Sequence, residues 1–209
     1  MKRSIIWFRR DLRIGDHPAL NAAIASSDEV IPLFILDKQQ IEEAGSKLLA
    51  YMSNSLRALD ASLENRLHII EGDQVEVLKE LIELYGVTEV HISEEPERYG
   101  AQRDARVEAA GIPLIRTGSP YAVYPGRVVK PSDATPYKVY TPFYKNWCIH
   151  GWRAPAPTPK KISAPKPPDK YRAFPDFPVP AGVTLIEAGE AAALKRFKEF
   201  TKSALDSYD

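Results

Sequence analysis

The sequence predicts an α/β protein: a doubly wound, five-stranded parallel sheet, then a proline-rich linker and a C-terminal helical tail. Three observations carry this. Short apolar runs rich in β-branched residues alternate, up to about residue 117, with longer segments of helical periodicity. The connections between them are short, and a strand that returns through a helix lies parallel to the one before it, so both sheet faces are covered. Finally, thirteen of the 18 prolines fall between Pro125 and Pro180, which excludes a regular helical layer there because each internal proline removes a backbone donor.

Each element has its own signal. The run "SIIWF" (4–8) is the first strand, and "HPALNAAIA" a helix with Asp16 as its expected cap and Pro18 in the first turn, where a missing N–H is harmless. "EVIPLFILD" (29–37) is the second strand. In "SKLLAYMSNSLRALDASLENR" (46–66), Leu48, Leu49, Met52, Leu56, Leu59 and Leu63 recur at helical spacing behind Ser46, a second expected cap. "LHIIEG" is strand three, "DQVEVLKELIELYG" a capped helix closed by glycine, and "VTEVHIS" strand four. "PERYGAQRDARVEAAG" is a helix closed by Gly111, and "IPLIRT" strand five. Right-handed crossovers make such a sheet doubly wound, and ligands bind beyond the carboxyl ends of its strands where the strand order reverses. With strand one central, the loops "RRDLR", "LDKQQ" and "SEEPERYG" converge there.

The chain has 209 residues, with 28 basic against 28 acidic. This balance hides an asymmetry. Residues 125–180 hold ten Lys/Arg against three Asp/Glu, leaving the remainder at −7. The single cysteine, Cys148, excludes an internal disulfide framework, and the four histidines lack metal-ligand spacing, so no metal site is expected. Neither a leader peptide nor a run of about 20 apolar residues is evident, so no membrane partner is expected and a cytoplasmic location is the default. The loop after strand one carries Gly15 alone instead of G-x-G-x-x-G, which argues against Rossmann-type dinucleotide binding. Its three arginines offer stacking planes and forked donors, suited to an aromatic ligand with carbonyl or carboxylate groups or to pairing with Glu94, Glu95 and Glu97.

At "WFRRDLR" followed by "DHPAL" the sequence resembles the DNA photolyase/cryptochrome family. "PLFILD", "SLRALDASL", "EGD", "YGAQRD" and "PYKVYTPFYKNW" follow in the family's order, so the resemblance covers essentially the whole chain. It implies an α/β antenna domain over residues 1–125, a basic interdomain linker over 126–186 that wraps a helical domain, and the start of the FAD-binding helical domain over 187–209. The expectation is thus part of a longer light-dependent photolyase. There, reduced FAD would repair cyclobutane pyrimidine dimers in damaged DNA by electron transfer, and this stretch would be neither catalytic alone nor FAD-bound. Tyr208 matches a family tyrosine that contacts the FAD phosphates.

The resemblance also implies a second, antenna chromophore in the α/β domain. Carried over by position, its pocket uses Arg10, Phe34, Ile35, Leu36, Asp37, Glu95, Glu97, Tyr99, Gly100 and Arg103, with Lys47 reaching for a tail. The folate-binding type has an acidic residue where Gly100 stands, so 8-hydroxydeazaflavin or FMN is favoured over methenyltetrahydrofolate. Phe34, Ile35 and Leu36 are equally readable as core, Asp37 as a cap, and Arg103 and Asp104 as partners of Arg10 and Asp11. A cryptochrome-type blue-light receptor and a stand-alone α/β nucleotide-binding or interaction module are the alternatives. The tail helix from 187 onward is expected to self-associate through an exposed apolar face.

Overall fold

The computed structural model describes residues 1–208. Five strands, β1 (Arg3–Phe8), β2 (Glu29–Leu36), β3 (His68–Glu71), β4 (Val87–Ile92) and β5 (Leu114–Arg116), form one parallel sheet in the order β3-β2-β1-β4-β5. β1 is central, as the expected layout requires. Strand order reverses between β1 and β4, which locates the ligand crevice at their carboxyl ends.

Strand alternation divides the core into two layers. Ile5 and Trp7 of β1 join Leu33, Leu78, Leu81, Val90 and Val107 on the face covered by α4 (Gln74–Tyr85) and α5 (Arg98–Ala109). Ile6 and Phe8 join Leu20, Phe34, Leu36, Leu56 and Leu59 on the face covered by α1 (Pro18–Ser26) and α3 (Ser46–Ser62). Because both faces are buried, the strands read as unbroken apolar runs.

Local chemistry sets the helix ends. Asp73 accepts hydrogen bonds from the amides of Val75 and Glu76 at the start of α4, and Gly86 ends that helix at φ 65°, a conformation that favours glycine. Two expected caps are corrected. His17, not Asp16, caps α1, its Nδ1 accepting from Leu20 N at 3.1 Å. Asp16 turns outward at φ 46° to meet Arg153 and the amide of Ala156. α3 starts from Gly45, with Ser46 already inside it. A short helix unsignalled by periodicity, α2 (Lys38–Glu43), follows β2.

The proline-rich stretch differs from expectation in one respect. It contains a helix, α6 (Tyr140–His150), because Pro142 falls in the first turn, where no intrahelical donor is lost. No residue of α6 is buried. The rest of the stretch runs over the α/β layer. Ser163 O accepts from Val30 N at 2.8 Å, Ser53 Oγ donates to Pro175 O, and Arg172 forms a parallel bridge with Ile69 beside edge strand β3. Tyr171 is 3% exposed and packs on His68, while Arg172 pairs with Asp60 at 2.8 Å. Helix α7 (Glu190–Ser203) then returns to the crevice end. Among the described residues no helix is long and apolar enough to cross a membrane.

Candidate functional site

The crevice is built around Trp7, the last-but-one residue of β1. The guanidinium carbons of Arg9 and Arg103 stand 5.4 and 4.9 Å from its ring centroid. Arg9 lies 2.6 Å from Asp104 and 3.3 Å from Glu95, and Arg103 lies 2.8 Å from Asp104 and 3.4 Å from Glu95. All four side chains are nearly buried, and two cations face two anions, so the desolvation of each charge is offset inside the cluster. Burial, reinforced by the neighbouring Arg103 charge, lowers the Arg9 pKa despite both carboxylates. Arg9 also donates to Ser93 O, which joins the β1 loop to the β4 loop.

A second tie runs beside it. Asp11 lies 3.0 Å from His17 Nε2 and accepts from Ser93 Oγ and the amide of Arg9. Burial pushes the Asp11 carboxyl up, yet His17 and these two donors outweigh it and hold the pKa well below the usual carboxylate range. Gly100 belongs to this construction as well. A Cβ there would stand 2.6 Å from Glu95 Oε2 and 2.9 Å from Glu95 Cβ, so a side chain at this position would displace the Glu95 that holds both arginines.

Asp37 caps α2 by accepting from Gln39 N at 3.0 Å, and it accepts from Gln74 Nε2 at 2.6 Å and from the Tyr99 hydroxyl. Burial and the Asp37 charge push the Tyr99 pKa up to about 12, so its phenol stays a donor. The loop after β2 is thereby fixed to α4 and α5. Arg10 sits at the rim, more than half exposed, 2.8 Å from Glu97, which also accepts from the Tyr121 hydroxyl at 3.3 Å.

Between these loops and α3, the linker and α7 lies a cavity of about 1230 Å³. Of the residues expected from sequence, Arg10, Phe34, Ile35, Leu36, Asp37, Glu95, Tyr99 and Arg103 line it. Gly100 is buried behind Glu95, and Glu97 is at the rim with Arg10. Lys47 is exposed on the first turn of α3, while the neighbouring Leu48 and Leu49 line the cavity. Tyr208 is 74% exposed and rests edge-on against Phe200. The expected pairing of Arg103 and Asp104 with Arg10 and Asp11 is corrected: Arg9 makes the buried contacts and Asp11 turns to His17 and Ser93. Continuing the β1 alternation one step past Phe8 would have placed Arg9 on the Trp7 side. Ala193, Leu194 and Phe197 of α7, and Pro155 and Thr158 of the linker, complete the lining. No local pattern announces those residues, since they reach the site from at least 52 positions beyond Arg103, the last of the expected residues that line it.

Comparison with known proteins agrees with this geometry. The family description DNA photolyase matches residues 4–161. A deoxyribodipyrimidine photo-lyase of Streptomyces griseus is 32% identical over 176 residues, covering 79% of this chain and 38% of that protein. A bacterial class III photolyase from Agrobacterium tumefaciens aligns in structure with a TM-score of 0.77 at 27% identity, over 98% of this chain and 45% of its own. An archaeal photolyase from Sulfolobus tokodaii, solved with two FAD molecules and described as implying a novel light-harvesting cofactor, gives 0.67 at 25% identity, over 78% and 38%. The chain spans less than half the length of these relatives. A central β1 carrying "WFRRDLR", the crevice it opens on and a family match over most of the sequence lead to one conclusion: the chain belongs to the DNA photolyase family.

Proposed function

We propose that this chain is the light-harvesting part of a deoxyribodipyrimidine photolyase and that its crevice holds a planar antenna chromophore. The observation that carries the reading is the cavity itself. At about 1230 Å³ it exceeds the roughly 300–1,000 Å³ of ordinary small-molecule sites, which leaves room for a tricyclic ring and a tail. The residues fit such a group. Phe34, Leu36, Met52 and Phe197 supply apolar walls, and Arg10 a rim cation for a phosphate. When bound, the chromophore would absorb light and pass its excitation to a flavin.

The protein's task is to hold the ring still and dry. The buried Arg9–Glu95–Arg103–Asp104 cluster and the Asp37–Tyr99 contact fix the three loops before any ligand arrives, so little ordering is left to be done on binding. Gly100 stands where the folate-binding type of the family has an acidic residue, and that resemblance favours FMN or 8-hydroxydeazaflavin over methenyltetrahydrofolate. In a protein that carries this chain together with FAD, the excitation would drive electron transfer from reduced FAD to a cyclobutane pyrimidine dimer in damaged DNA, splitting it.

Fluorescence titration with FMN, 8-hydroxydeazaflavin and methenyltetrahydrofolate tests the site. One-to-one binding of a flavin-type ring is expected, with the folate weaker. Failure of all three to bind below millimolar concentration would remove the reading.

A further inference from the structure

Helix α7 reaches the cavity by an unusual attachment. The two carboxylate oxygens of Glu190, its first residue, accept from Ile14 N at 2.9 Å and Gly15 N at 3.0 Å in the loop after β1. Both neighbouring glycines are needed for that approach. A Cβ on Gly15 would lie 2.3 Å from Glu190 Oε1, and one on Gly189, at φ 98°, would lie 2.5 Å from the Ala58 Cβ of α3. The start of α7 is therefore seated between the β1 loop and α3 with no room for a side chain on either side.

Beyond this seat the helix is held by little else. None of its residues is buried, and Leu194 and Phe197 remain 52% and 62% exposed although both line the cavity. An amphipathic helix ordinarily owes its place to the burial of its apolar face. Here Ala193, Leu194 and Phe197 share the lining of the cavity with Phe34, Leu36 and Met52.

We infer that Glu190 is a positioning residue that latches α7 over the cavity as a roof, and that a planar aromatic occupant completes the packing of the roof, so ligand binding and α7 docking strengthen each other. This rests on the reading of the cavity as a chromophore site. The reciprocity is thermodynamic: whatever affinity the docked roof adds for the ligand, the ligand adds to docking. Glu190→Gln keeps the size of the side chain but weakens the charge-assisted bonds, whereas Gly15→Ala obstructs the same latch from the other side.

The test is limited trypsin digestion of the 209-residue chain, read by mass at Lys195, Arg196 and Lys198, with and without FMN, beside FMN fluorescence titration. Both variants are expected to speed ligand-free cleavage in α7 and to weaken FMN binding roughly tenfold. FMN is expected to protect α7 in the wild type and less so in the variants. Variants that bind FMN as the wild type does and are cleaved no faster would overturn the inference, as would FMN binding that leaves cleavage unchanged. A wild type that binds no FMN would overturn the coupling together with the reading beneath it. The ligand-free digestion would then still report whether Glu190 holds the helix.

Discussion

Arg9 and Arg10 are adjacent in sequence and opposite in consequence. Arg9 is buried among Glu95, Asp104 and Trp7, so removing it leaves two buried carboxylates against one cation. Arg9→Met should cost about 3–5 kcal/mol in urea unfolding, whereas Arg10→Ala, which breaks a rim pair with Glu97, should cost at most about 1 kcal/mol. Equal effects would mean that the cluster does not hold the loops. "RRD" alone does not say which arginine turns inward, because the answer depends on the carboxylates that α5 brings up from residue 104 and the β4 loop from residue 95. His68 gives a second residue-scale prediction. Its Nδ1 faces Arg66 O at 3.2 Å and its Nε2 the Tyr85 hydroxyl at 3.0 Å, and burial lowers its pKa from 6.5 to about 4. Below pH 6.5 the unfolded chain takes up a proton that the folded chain refuses. Stability present above that pH is therefore lost as pH falls toward 4, by about 3 kcal/mol. His91, lowered chiefly by burial, acts in the same direction, while the stability that Asp11 contributes with its depressed carboxyl is present above pH 3.8 and erodes below it, as the unfolded chain takes up the proton first. Unfolding free energies at pH 7 and pH 4 should differ by clearly less in His68→Asn than in the wild type. Equal differences would show that His68 takes up its proton without unfolding.

At the scale of elements, the strands and the large helices were legible because each carries its own period and its own ends. Leu56, Leu59 and Leu63 fall on one side of α3 and its C-terminal turn, and Asp73 and Gly86 bracket α4. α6 was not legible, since Pro142 reads as a helix breaker until its place in the first turn is known. The course of the linker was hidden for a related reason. Its anchors are single residues, Tyr171 foremost, that gain meaning only from partners such as His68, Glu80 and Asp60 far back in the chain. Tyr171 closes the exposed edge beyond β3 and joins the same core layer as Ile70 and Leu81. Tyr171→Ala should therefore destabilise the protein by about 3–5 kcal/mol and open the linker to trypsin at Lys170 and Arg172. A linker cleaved no faster than in the wild type would show that other contacts retain it.

At the scale of the molecule, the strand order β3-β2-β1-β4-β5 brings the loops after β1, β2 and β4 together, and the linker returns α7 to the same end of the sheet. The sequence indicates the first three walls of the cavity, because their loops follow strands of recognisable order. It hides the fourth, because Glu190 meets Ile14 and Gly15 across 175 and more positions and no periodicity marks the meeting. That this cavity receives a planar chromophore is the claim on which the light-harvesting proposal rests. The measurement that bears on it most directly is flavin titration of the wild type beside Leu49→Trp, which puts an indole into the cavity from α3. Saturable one-to-one binding to the wild type, lost in Leu49→Trp while its thermal midpoint is unchanged, is the predicted result. Equal binding by both proteins would place the ring outside this cavity and contradict that claim.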